Sequence, residues 1–68
     1  MFFGLSDKDK YEITSWAFSF FMQSNLSIAD AVVKAIKKIK PNQVRKDGTL
    51  KVSQSTLIGL QLRVKNML

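Results

Sequence analysis

The stretch Ile13-Thr14-Ser15-Trp16-Ala17-Phe18-Ser19-Phe20-Phe21-Met22 carries the only Trp and three of the five Phe in the chain. No other stretch holds as much large apolar surface, so a core must form around it. At the helical period of about 100° per residue, Ile13, Trp16, Ala17 and Phe20 share one face, with Phe21 at its edge. Tyr11, Phe18 and Met22 fall nearly opposite. A surface helix shows one apolar stripe, whereas a helix with two is buried on both sides, either centrally in its own fold or against another chain. The first stripe predicts Trp16 as a core anchor. The second makes Tyr11, Phe18 and Met22, with Phe2 and Phe3 as additions, a candidate protein-binding or dimer surface, since aromatics and Met are enriched in such patches. The competing assignment buries that stripe within the monomer, between two other helices.

A chain of 68 residues makes one domain, residues 1–68, and at that size folding buries only about 60% of the surface the unfolded chain exposes. With no Cys there is no disulfide to supplement the core, and with no His as well the ordinary zinc, iron and copper sites are excluded. Oligomerisation is the remaining device, in agreement with a two-faced first helix. Met1-Phe2-Phe3-Gly4 has no basic segment ahead of an apolar run, so no signal peptide is expected. The longest apolar-rich stretch is about ten residues against the ~20 that a membrane span needs. The expectation is a soluble, cytoplasmic protein with no membrane partner.

Local signals divide the chain into three helices. Ser6 or Asp7 caps the first, Asp9 lies in its first turn, and Ser24-Asn25 ends it, giving about 7–24 with Asn25 suited to a left-handed close. Ser27-Ile28-Ala29-Asp30 has capping-box spacing with Asp for the preferred Glu. Ile28, Val32, Ala35, Ile36 and Ile39 then form one stripe with Ala31 beside it, Lys34, Lys37 and Lys38 lie opposite, and Asp30 is spaced to pair with Lys34. Pro41 forbids continuation, so the second helix is 28–39. In 41–52 the Asp47-Gly48 turn signal allows a short hairpin pairing Val44 with Val52, although an ordered loop is favoured. The last segment reads as a helix over about 54–67, capped by Ser53 or Ser55, with Leu57, Leu60, Val64, Met67 and Leu68 as its stripe. The alternation of Ile58, Leu60, Leu62 and Val64 offers a strand instead, and Gly59 weakens both. The predicted fold is therefore all-α, a compact three-helix domain with a long basic loop at 41–52.

Catalysis has little to work with. Neither His nor Cys is present, and Asp7, Asp9, Glu12, Asp30 and Asp47 each have a structural job as cap, pair partner or turn former. Asp7-Lys8-Asp9 begins like a calcium loop, but Glu12 stands where that loop requires Gly. Gly4, Gly48 and Gly59 are scattered, so no phosphate-cradling loop exists. No enzyme activity, cofactor, metal or small-molecule substrate is expected.

Charge is placed unevenly. From Met1 to Leu26 two Lys face three acidic residues, whereas from Ser27 to Leu68 nine Lys and Arg face two Asp. That asymmetry suggests an anionic partner for the second part. Lys34, Lys37, Lys38, Lys40, Arg45, Lys46 and Lys51 are the candidate contacts to nucleic-acid phosphates. A set dominated by Lys suits backbone binding more than base reading, which Arg45 and Arg63 alone suit. No aromatic residue interleaves with this run, so single-stranded bases find no evident stacking platform. The bland alternative is a solvated helix face.

Val52-Ser53-Gln54-Ser55-Thr56-Leu57 resembles the start of the recognition helix in helix-turn-helix DNA-binding proteins, where small polar residues sit near phosphates and base edges. The resemblance implies Ser53 and Gln54 as further contacts. It spans six residues, and 41–52 intervenes where that motif has a turn of about four residues. Two functions follow from the sequence. The first is a small basic nucleic-acid-binding accessory or regulatory protein. The alternative is a non-enzymatic protein-interaction module, an inhibitor or assembly factor, using the apolar face of the first helix and possibly homodimeric.

Overall fold

A computed structural model describes residues 5–68. Its elements are α1 (Asp7–Gln23), α2 (Ile28–Ile39), a 3₁₀ turn at Pro41–Gln43 and α3 (Gln54–Met67). Each α-helix begins on a serine whose hydroxyl accepts an otherwise unpartnered amide of the first turn, Ser6 from Asp9, Ser27 from Asp30 and Ser53 from Thr56. Only the first is a full capping box, the Ser6 amide donating back to Asp9 Oδ2 at 3.3 Å. The helix reading of the last segment holds over its strand alternative. α1 ends on Ser24 in an extended conformation (φ −133°, ψ 163°), so Asn25 makes no left-handed close. At the end of α2, Pro41 opens the 3₁₀ turn as its first residue.

The core consists of Leu5, Ile13, Ala17, Ala31, Val32, Ala35, Ile36, Leu60 and Val64. It is aliphatic, and Phe18, Phe20 and Phe21 pack at its margin. The buried line of α1 passes through Ile13, Thr14 and Ala17, rotated from the expected stripe toward Thr14. The reason is that α1 packs on α2 along one flank and on α3 along the other, so its buried line must lie between them. Thr14 tolerates burial because its hydroxyl donates to the Lys10 carbonyl at 2.7 Å. Trp16 consequently stands on the flank, 41% exposed, and is not the core anchor that periodicity predicts. Phe18 turns inward against the core, leaving Tyr11 and Met22 as the exposed members of the second stripe. Of the α3 stripe, Leu60 and Val64 are buried while Met67 and Leu68 are exposed.

The segment after α2 is an ordered loop with a single antiparallel bridge between Val44 and Leu50. The register differs by two residues from the Val44–Val52 pairing. Asp47 Oδ1 accepts the Thr49 amide at 3.0 Å and its hydroxyl at 2.7 Å, and Gly48 supplies the left-handed residue (φ 91°). The turn is closed on its near side by Gly48 N–H to Arg45 O at 3.0 Å and Arg45 N–H to Thr49 O at 2.7 Å. Among the described residues no helix is long and apolar enough to cross a membrane.

The division between core and margin has a measurable consequence. Ile36→Ala, at a fully buried site, should cost about 2–5 kcal/mol in urea-induced unfolding and leave little of a domain this small folded. Trp16→Ala should cost about 1–2 kcal/mol, because the ring gives up only part of its area. A Trp16 variant as damaged as the Ile36 variant would contradict this packing. Gly59 lies inside α3 with nothing within 4 Å of where a Cβ would sit. Gly59→Ala should therefore raise stability by about 1 kcal/mol through helix propensity, read as a higher urea midpoint.

Candidate nucleic-acid interface

α2 separates two chemistries by its period. Ala31, Val32, Ala35 and Ile36 are buried, and Lys34, Lys37 and Lys38 are exposed on the other side. Among the described residues these lysines hold no ion pair, and the one salt bridge joins Lys40 Nζ to Asp9 at 3.4 Å. The predicted Asp30–Lys34 pair does not form, because Lys34 reaches across to α1.

That reach creates a cluster absent from the linear sequence. Trp16 and Phe20 are one turn apart on α1, and Lys34 and Lys38 are one turn apart on α2. The helices run antiparallel, so a step from Trp16 to Phe20 matches a step from Lys38 to Lys34. Lys38 Nζ sits 4.5 Å from the Trp16 ring centroid and Lys34 Nζ 4.8 Å from that of Phe20. The two rings lie 5.7 Å apart, tilted by 32°. At exposed sites such cation–π contacts are worth about 0.5–1 kcal/mol each, so they bias the lysines without locking them. Aromatic surface thus does adjoin the basic run, contrary to what sequence order alone indicates. Its signal was the shared four-residue spacing together with the short connection from α1 to α2.

The remaining predicted contacts divide by their partners. Lys40 is engaged with Asp9 at the base of the α1–α2 pair. Arg45 Nη1 donates to Leu50 O at 3.0 Å and Thr49 Oγ1 at 3.4 Å, which makes Arg45 partly a loop brace. Arg45 and Lys51 line, with Asn42 and Gln43, a cavity of about 490 Å³, while Lys46 is exposed beside it in sequence. Ser53 Oγ caps α3 and lies 2.9 Å from Thr56 Oγ1, which accounts for the serine without any ligand. Gln54 follows, exposed, in the first turn. Arg63 lies apart from the α2 lysines and lines two cavities of about 220 and 300 Å³ between α1 and α3, the second bordered by Tyr11 and Met67. Phe2 and Phe3 lie outside the described residues. Among the described residues no three acidic side chains gather closely enough to hold a metal ion.

Two aspartates stand out electrostatically. Burial pushes the Asp9 carboxyl up, but hydrogen bonds from Ser6 and the Lys40 ammonium outweigh it, so its pKa falls below the ordinary value. Asp47 is lowered by its hydrogen bonds to Thr49 and by nearby Arg45. No family model matches the chain, and no curated protein or solved structure matches it either.

Asp9 ties the α1 cap to the end of α2, which makes the fold acid-sensitive. A carboxylate whose folded pKa is depressed stabilises fully above its unfolded pKa of about 4, and that contribution is lost as pH falls through the folded value. The melting temperature should drop as pH falls from 5 toward 3. Asp9→Asn should lower it at pH 7 and flatten part of the acid limb, with Asp47 keeping the rest. An unchanged acid limb in Asp9→Asn would remove this role.

Proposed function

We propose that this chain is a small nucleic-acid-binding accessory or regulatory protein that contacts phosphate backbone through the outer face of α2 and the loop that follows. The observation that carries the reading is the exposure of Lys34, Lys37 and Lys38 on one side of a helix whose opposite side is core. None of the three neutralises an acidic residue of the described chain, so their charge is available to an anion. Lys46 and Lys51 extend the positive surface beyond the helix, and Arg45 adds the donors its loop contacts leave over. Lysine ammonium groups on flexible stems suit phosphates met in any sequence context.

The second reading, a protein-interaction module, is favoured by a different observation. Tyr11 and Met22 remain 64% and 62% exposed on α1, and Ile58 and Leu62 are exposed on α3. Isolated exposed apolar residues are common on small proteins, so this support is weaker than the segregation of charge on α2.

Salt dependence tests the first reading. Each phosphate contact contributes about 0.9 to the slope of log affinity against log salt on duplex DNA. Lys37→Gln with Lys51→Gln should weaken binding to unrelated duplexes equally and reduce that slope by about two, with thermal stability hardly changed. If the unmodified protein fails to retard duplex DNA even at low salt, the phosphate reading is withdrawn and the interaction module takes its place.

A further inference from the structure

Trp16, Phe20, Lys34 and Lys38 form a surface unit that phosphate binding alone does not use. From it we infer a stacking site for an unpaired base, so that the protein prefers single-stranded nucleic acid. This inference rests on the phosphate-binding reading and adds a specificity to it.

Trp16 is 41% exposed on the α1 flank, so part of its indole face is open to solvent. Its ring lies 5.7 Å from that of Phe20 at a tilt of 32°, so the exposed indole adjoins a second, half-buried ring that packs on the core. Lys38 and Lys34 hold their ammonium groups 4.5 and 4.8 Å from the two ring centroids. An unpaired base brings a π-face for the indole and a phosphate for the ammonium at the spacing of one nucleotide. On binding, Lys38 exchanges its weak contact with the ring for the phosphate, and the base takes the vacated face. Stacking plus a charge pair replaces a single exposed cation–π contact, so the exchange runs toward the complex. A duplex offers the phosphates but keeps its bases stacked on one another, which leaves the indole unused. Lys37 lies on the same outer face of α2 and can hold the next phosphate. Glu12, one turn before Trp16 on α1, sets a carboxylate on the approach and limits affinity.

Because Trp16 is the only tryptophan, its fluorescence reports this contact directly. Oligo(dT) and oligo(U) should each be titrated into the full chain beside a duplex of mixed sequence at the same low salt. The single strands should quench Trp16 and the duplex should bind without quenching; a larger effect from one of the two strands assigns the sugar preference. By fluorescence anisotropy of labelled strands, Trp16→Leu should weaken single-strand binding about 5- to 100-fold and duplex binding less than twofold. Glu12→Gln should tighten single-strand binding. Far-ultraviolet circular dichroism establishes that each variant keeps its helices, and the quenching of the unmodified protein stands without any variant. Equal binding of single strands and duplex with Trp16 unquenched overturns the stacking site and leaves phosphate binding intact. Absence of binding to every probe at low salt overturns both.

Discussion

One helix has to serve two neighbours. α1 packs against α2 and α3, which places its most buried line through Ile13, Ala17 and Thr14, between the two flanks. The residues on that line are small or aliphatic, and Ala31 and Ala35 of α2 are buried in the same core. Close approach of two helices favours such residues at the contact, since bulky rings there would push the axes apart. The aromatic residues therefore take the margins. Phe18, Phe20 and Phe21 close the edges of the core, and Trp16 and Tyr11 remain in contact with solvent. The surface chemistry of the protein follows from this single packing requirement.

The basic surface rests on a similar division within α2. Its apolar residues repeat so regularly that its lysines are left exposed away from the core, with only the weak contacts of Lys34 and Lys38 to the α1 rings. Where a basic residue does carry structure, it does so at a junction. Lys40 holds the α1 cap through Asp9, and Arg45 braces the turn from Val44 to Leu50. The cations are thus split between residues that brace the fold and residues whose ammonium groups face solvent without an acidic partner in the described chain. Trp16 and Phe20 stand where this second group meets α1, so two of its lysines lie over aromatic rings.

Much of this is legible in the amino-acid sequence. Pro41 stops α2, Ser27 starts it, and the apolar period of the residues between them states which side is core. The hairpin register is less legible. The turn stays on Asp47-Gly48, but with the Asp47 and Arg45 side chains bonded across it Val44 pairs with Leu50, two residues before the partner that the loop length suggests. For α1 the periodicity identified a helix with two apolar sides and then misplaced Trp16 on the buried one. A wheel of residues reports which side chains share a direction, and it does not say where the neighbouring helices stand.

The sequence by itself determined α1 and α2 to within a residue, the outward face of the α2 lysines and the marginal size of the core, while it left 54–67 open to a strand. Those properties depend on caps, proline and apolar period, all of which act within a few residues of chain. Only the tertiary structure decided that the core is aliphatic, that Trp16 lies at its edge, and that Lys34 and Lys38 rest on Phe20 and Trp16. These depend on the antiparallel alignment of α1 with α2 and on the space α3 takes from α1. Such distances arise between side chains on different helices, and each is set by packing the whole rather than by any local preference.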